Sequence, residues 1–216
     1  SKLDTSQITN MSKIFQNSNF SGNISRWDVS NVTDMWGMFC SAKNFNSSIG
    51  NWDVAKVTNM FRMFFDAKSF NKNINTWNVS NVKNMSDMFY MAKEFNSPIG
   101  DWDMSSVTDI GNLFHEAKKF NQNISKWNTS NVRIMHNLFY NAKSYEQPLT
   151  NWDISNVTNI HSVFEGAIAF QNKFNNGEEI EEKHYLNVDN SNSEKPDITQ
   201  WLIENMSCKK RVLDKE

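Results

Sequence analysis

Residues 99–123 read IGDWDMSSVTDIGNLFHEAKKFNQN, and this stretch decides the fold because it is one copy of a pattern that fills most of the chain. Its tryptophan recurs at a constant step of 25 residues, at Trp27, Trp52, Trp77, Trp102, Trp127 and Trp152. A fixed step of this length indicates an array of similar units in which each unit packs on its neighbours. We therefore expect about seven stacked repeats over residues 1–176, the first of them degenerate.

The apolar spacing within one repeat changes along its length. Ile99, Trp102 and Met104 end on a step of two, which is typical of a short strand. From Val107 to Ala117 the apolar steps are three or four, which is typical of a helix. The sequence therefore predicts an α/β fold, a right-handed leucine-rich-repeat-like solenoid of 25-residue strand-helix units. Its short parallel strands would form one wall and its helices the other, with a β-helix as the nearest rival.

The last part of the chain breaks the pattern. Gly177 stands where the next tryptophan is due, and an acidic run follows it. Further on, Ile198, Trp201, Leu202 and Met206 share one face of a predicted final helix. Segment 177–216 is therefore expected to be an acidic linker and a C-terminal capping helix, with docking to a partner as the alternative role of the helix.

Composition and motifs exclude several classes of protein. The 22 basic and 24 acidic residues give a net charge of -2, so we expect no nucleic-acid partner. With a mean hydropathy of -0.64, the chain also holds no apolar run long enough for a transmembrane segment. Neither a P-loop, a dinucleotide-binding glycine motif nor an HExxH motif occurs, so we expect no cofactor and no enzyme activity. The opening SKLDTSQIT lacks a signal-peptide pattern, which suggests a mature segment.

The repeat resembles a known family. FNKNINTWNVSNVKNMSDMFYMAKE, which begins at Phe70, and FNQNISKWNTSNVRIMHNLFYNAKS, which begins at Phe120, are similar to the 25-residue repeat of mycoplasma-type surface lipoproteins. That repeat is known as domain of unknown function 285 and is distantly related to BspA-like leucine-rich repeats. The resemblance covers residues 3 to 174 and implies display on a bacterial cell surface, with a possible lipid anchor outside the chain. Related repeats occur in large DNA viruses, and the resemblance implies no catalytic residues.

Two surfaces are candidates for binding a protein or glycan partner. The first, here called the Trp-Asp surface, lies on the inner wall of the predicted solenoid and is rigid and continuous across the repeats. It comprises two columns. The Asp/Asn column consists of Asp28, Asp53, Asn78, Asp103, Asn128 and Asp153. The variable column lies two residues before it and consists of Arg26, Asn51, Thr76, Asp101, Lys126 and Asn151. The Asp/Asn column has a second interpretation, in which each side chain accepts hydrogen bonds from amides of its own turn.

The second candidate surface is an aromatic stripe at positions that should face away from the core. It comprises Trp36, Phe61, Phe65, Tyr90, His115, His136, Tyr140 and His161. Exposed aromatic side chains are frequent anchors of protein interfaces, although these rings could equally cover the groove between successive repeats. We predict a non-catalytic adhesion or interaction module that binds through the Trp-Asp surface, with the aromatic stripe as runner-up. The alternative function is a spacer or scaffold array, or a virus-encoded interaction protein, with no dedicated ligand.

Neither histidine nor cysteine residues indicate a reactive site. His136 and His161 share one column, but two imidazoles lack the further ligands that a zinc ion requires. Cys40 has no supporting His or Asp column, so we expect a plain surface or packing thiol. A bridge between Cys40 and Cys208 stays open as an alternative.

Overall fold

The computed structural model describes residues 4–149 and 151–174. Within these residues the only regular element is α1, the helix Ile168–Phe174. The predicted units of one strand and one helix are therefore wrong, and so is the leucine-rich-repeat-like solenoid built from them. The capping helix predicted within segment 177–216 lies outside the described residues.

Successive repeats nevertheless stack in parallel. Isolated parallel bridges link one residue of each repeat to the equivalent residue of the next: Asn10, Asp34, Asn59, Asn84, Asp109, Ile134 and Asn159. The step is 24 residues at the first bridge and 25 at the five others. The repeat period seen in the sequence is thus a spatial period of the molecule.

The segment predicted as a helix is a run of β-turns. In residues 110–117 the amides of Leu113, His115 and Ala117 each donate to the carbonyl three residues earlier, at 3.0–3.2 Å. The even-numbered amides of this segment donate to carbonyls of the next repeat instead: Ile110 to Ile134, Asn112 to His136, Phe114 to Leu138 and Glu116 to Tyr140, at 2.7–3.0 Å. Alternate amides therefore close turns and join repeats.

Two backbone positions in each repeat lie in the left-handed region. In one repeat they are Asn112, at φ 54°, and Glu116, at φ 52°. The same two positions are left-handed in every described repeat: Lys13 and Asn17, Gly37 and Ser41, Arg62 and Asp66, Asp87 and Met91, Asn137 and Asn141, and Ser162 and Gly166. An α-helix cannot pass through such residues, whereas a type II turn requires one at its third position.

The apolar columns form the core as the sequence predicts. In the repeat 99–123, Ile99, Val107 and Phe114 are fully buried, and Trp102 is 3% exposed. The rings of each column stack on their equivalents, with Phe89 and Phe114 centroids 5.9 Å apart. Each tryptophan from Trp52 to Trp152 also donates its indole N–H to an isoleucine carbonyl 28 residues earlier, at 2.9–3.2 Å. Burial and ring stacking between repeats thus replace regular secondary structure as the basis of the fold.

Candidate functional site

All twelve residues of the Trp-Asp surface are exposed. They lie beside buried core residues: Trp102, for example, separates the exposed Asp101 and Asp103. The surface therefore combines exposed side chains with a tryptophan that recurs in each repeat and is buried from Trp52 to Trp127.

The Asp/Asn column of this surface accepts hydrogen bonds locally. Oδ1 of Asp28 accepts from the Ser30 amide at 3.0 Å and from the Ser30 hydroxyl at 2.7 Å. Both bonds lower the pKa of Asp28, and the bond from the Ser30 hydroxyl has the larger effect. The same amide bond, to the residue two positions on, forms in the other five repeats at Asp53, Asn78, Asp103, Asn128 and Asp153. This is the turn-capping geometry of the second interpretation, in which Asp and Asn serve equally well.

The variable column of the Trp-Asp surface carries both signs of charge. Lys126 Nζ lies 3.7 Å from Asp101 Oδ1, and both side chains are mostly exposed. Asn51 and Thr76 donate to backbone carbonyls of the preceding repeat at 2.7 Å. The column thus presents separate cationic, anionic and neutral positions along one line.

The aromatic stripe forms a stack of its own. Phe65, Tyr90, His115 and Tyr140 follow one another with centroid distances of 4.3–4.6 Å. Every residue of the stripe is half-buried except His161, which is exposed. Within this stack neighbouring rings cover each other's faces, so these four residues offer mainly ring edges to a partner. Trp36 and Phe61 are tilted rather than stacked, with centroids 6.1 Å apart.

One part of the stripe holds a half-buried polar cluster. The His136 ring stacks on His161, with centroids 5.2 Å apart, and its Nε2 lies 3.2 Å from Nδ2 of Asn112. Burial lowers the pKa of His136, and repulsion from His161 lowers it further by a smaller amount. Burial also raises the pKa of the nearby Asp109. Within the described residues no group of three or more His, Cys, Asp or Glu side chains is arranged to hold a metal ion.

An ion pair beside the stripe was not among the sequence-predicted site residues. Arg62 Nε donates to Asp87 Oδ2 at 2.8 Å, and the Asp87 side chain is only 8% exposed. The Arg62 guanidinium also lies 4.8 Å from the Phe61 ring and 5.1 Å from the Phe65 ring. The signal for this pair was its separation of 25 residues, which places opposite charges in adjacent repeats.

Cys40 is half-buried and has no disulfide partner in the part of the chain that the structure describes. Its Sγ lies 4.0 Å from Nε2 of Gln16 in the preceding repeat. The alternative partner Cys208 lies outside the described residues.

Comparisons with known proteins place the chain in one family. A family model described as Mycoplasma protein of unknown function, DUF285, matches residues 1–99 and 72–177. No curated protein matches the sequence. Among the residues that the structure describes, no helix is long and apolar enough to cross a membrane.

Proposed function

Because the chain belongs to the family of Mycoplasma proteins of unknown function DUF285, we propose that it is a non-catalytic interaction module displayed at the cell surface. A lipid anchor outside the printed residues would hold it there. The proposed partner is a host or neighbouring protein that binds to the Trp-Asp surface.

The exposure of the Trp-Asp surface carries this proposal. All twelve of its residues are exposed, and the tryptophan between the two columns recurs in each repeat and is buried from Trp52 to Trp127. A constant support with a varied exposed column provides binding area without a pocket. The mixture of charge signs, as at Lys126 and Asp101, suits a protein partner because it can set both register and specificity.

The aromatic stripe is the weaker candidate surface. Six of its eight rings stack on a neighbouring ring of the stripe, as in the contact of Tyr90 with His115 at 4.3 Å. A partner would therefore contact edges or displace a ring from its stack. The exposed residues of the Trp-Asp surface require no such rearrangement.

Paired variants test which surface binds. Saturable binding of the labelled protein to host extracellular material would be measured for Arg26→Glu with Lys126→Glu, and for Trp36→Ser with Phe61→Ser. A charge-matched control, Lys83→Glu with Arg133→Glu, changes two exposed residues outside both surfaces. We expect the first pair alone to lose binding, with all three variants unfolding at similar temperatures.

Two results would contradict the proposal. Loss of binding in the aromatic pair alone would assign the site to the stripe. Absence of saturable binding by the unmodified protein would favour a spacer or scaffold array.

A further inference from the structure

Five lysines occupy one position in five successive repeats. Each follows a fully buried alanine of the core, and the step between them is 25 residues throughout: Lys43, Lys68, Lys93, Lys118 and Lys143. Three of the five are exposed and the other two are half-buried. We call this set the lysine column. The near-neutral net charge of the chain conceals it, because acidic residues elsewhere balance the total.

Backbone hydrogen bonds hold the lysine column in register. The Ser69 amide donates to the Lys43 carbonyl, and the Glu94 amide to the Lys68 carbonyl, each at 3.2 Å. The Lys93 carbonyl accepts from the following repeat in the same way at 3.3 Å. Parallel chains joined like this lie about 4.8 Å apart, so five lysines place a line of positive charges over roughly 20 Å.

Most of the lysine column has no counter-charge within the described residues. Of the five lysines, only Lys68 has a carboxylate of a described residue within ion-pair distance, Asp66 Oδ1 at 3.7 Å. Like charges in directly opposed positions of neighbouring chains destabilise each other. A column of this kind therefore costs the folded protein stability, and an anionic ligand would relieve that cost.

We propose that the lysine column binds a linear acidic polysaccharide, a chain with one carboxylate or sulfate on each sugar or each second sugar. The ammonium groups recur once per repeat along a single line, which matches anions carried at regular intervals on an extended chain. An asparagine column three residues further along provides hydrogen-bonding groups for sugar hydroxyls: Asn46, Asn71, Asn96 and Asn121. The Oδ1 atoms of these asparagines already accept the amides of the following repeat at 2.8–3.0 Å, which leaves each Nδ2 group as the side-chain donor for a sugar hydroxyl.

Other polyanions fit this surface less well. Single-stranded nucleic acid binds with its bases stacked on exposed aromatic faces, but rings of the aromatic stripe such as Tyr90 and His115 are half-buried and stacked on each other. A bilayer surface presents anions over a wide area, where a broad basic patch serves better than a single file. The column is separate from the Trp-Asp surface, so this inference does not rest on the proposed function.

Binding of polygalacturonate oligomers tests the proposal. The column variant Lys93→Gln, Lys118→Gln, Lys143→Gln would be compared with the control Lys56→Gln, Lys83→Gln, Arg133→Gln, which removes the same charge from exposed positions elsewhere. We expect the column variant to lose affinity by about tenfold or more, while the control changes little. Affinity of the unmodified protein should fall linearly on a double-logarithmic scale with salt concentration.

Oligomer length and other polymers distinguish the possible outcomes. Affinity should rise with oligomer length and level off once the oligomer spans about 20 Å, the length of the column. Equal losses in the two variants, or equal binding of neutral dextran, would overturn the proposal. So would tighter column-dependent binding of oligothymidylate or of phosphatidylserine vesicles, which would identify a nucleic-acid or a membrane surface. Thermal unfolding of both variants checks that they remain folded.

Discussion

Gly111 and His136 lie in van der Waals contact across two repeats, and only glycine permits it. A Cβ atom at Gly111 would lie 2.6 Å from Cε1 of the His136 ring. Gly111 is itself buried, and its amide donates to Asp109 Oδ1 at 2.9 Å. The position of the imidazole, and with it the contact to Asn112, therefore depends on a missing side chain one repeat away.

Gly111→Ala should destabilise the protein by about 1–3 kcal/mol, as overpacking does at other buried sites. The added methyl would displace the His136 ring from His161 and Asn112. Urea unfolding measures the cost. Gly111→Ala combined with His136→Ala should cost less than the sum of the single changes, and strict additivity would show that the contact is absent.

Tyr145→Phe should raise stability. Tyr145 takes the place of phenylalanine in a core column and is fully buried, and its hydroxyl has no hydrogen-bond partner among residues 4–149 and 151–174. Burial raises the pKa of this hydroxyl well above its ordinary value. An unpartnered buried polar group costs about 1–3 kcal/mol, so calorimetry should show a higher unfolding temperature. The matched change Phe120→Tyr, one repeat earlier in the same column, should lower it.

Ser41→Gly distinguishes a turn from a helix at the same position. Ser41 has φ 55°, a conformation that costs a residue with a side chain about 1–2 kcal/mol. Relief of this strain should stabilise the protein by about 1 kcal/mol, partly offset by the greater entropy of glycine in the unfolded chain. In a helix interior the same change would destabilise by a similar amount, so a clear loss in chemical unfolding would contradict the turn. The control Ala42→Gly, at a buried position, should be destabilising.

Trp102→Ala should cost about 3–5 kcal/mol, the range for large buried aromatic side chains. Its ring stacks between Trp77 and Trp127 at 6.5 and 6.4 Å, and its indole N–H donates to the Ile74 carbonyl. Unfolding followed by circular dichroism gives the value. The half-buried Trp27 in an outer repeat should cost less, and equal losses would mean that stacking between repeats contributes little.

Acid should weaken the fold through its half-buried histidines. Burial lowers the pKa of His115 and of His136, against raising contributions from Glu116, Asp87 and Glu165 at His115 and from Asp109 and Asp87 at His136. A histidine with a lowered folded pKa binds fewer protons when folded. Its contribution to stability is therefore complete above the ordinary value of 6.5 and is lost as the pH falls from there towards the folded pKa.

Unfolding free energies measured from pH 8 to pH 5 check this dependence. His115→Phe keeps a ring between Tyr90 and Tyr140 and should flatten the profile below pH 6.5. An unchanged slope in that variant would remove His115 as the cause.

Much of the core could be predicted from the sequence, but its backbone could not. Buried columns such as Val107 and Phe114 repeat at a fixed step, and burial follows directly from that. The helix prediction failed because consecutive turns bring residues i and i+3 together as a helix does. Asn112, Asp87 and Gly37 are typical turn residues at one position of the repeat, whereas Arg62 there gives no such signal.

The candidate site was predictable to a similar extent. The exposure of Asp101 and Asp103 on either side of Trp102 follows from alternation. The contact of His136 with Gly111 could not be predicted in the same way. It depends on how adjacent repeats are aligned by backbone bonds such as that from the Asn112 amide to the His136 carbonyl, 24 residues later, and the apolar pattern does not reveal this alignment. The lysine column could have been predicted from the step of 25 residues alone. The net charge of the whole chain gives no sign of it, because acidic residues elsewhere balance these lysines.

Because the bonds between repeats recur at a nearly constant offset, further repeats could be added to the array without changing the existing junctions. An internal repeat exchanges backbone hydrogen bonds with both neighbours at the same positions: Asn112, for example, donates to His136 of the following repeat and Thr108 donates to Lys83 of the preceding one. A duplicated repeat would therefore find both neighbours already complementary. Even the first bridge, with a step of 24 rather than 25, keeps this pairing. Gene duplication or loss of one unit would then lengthen or shorten the exposed columns by one position while the junctions stay the same. The number of repeats would then set the length of ligand that the exposed columns can bind.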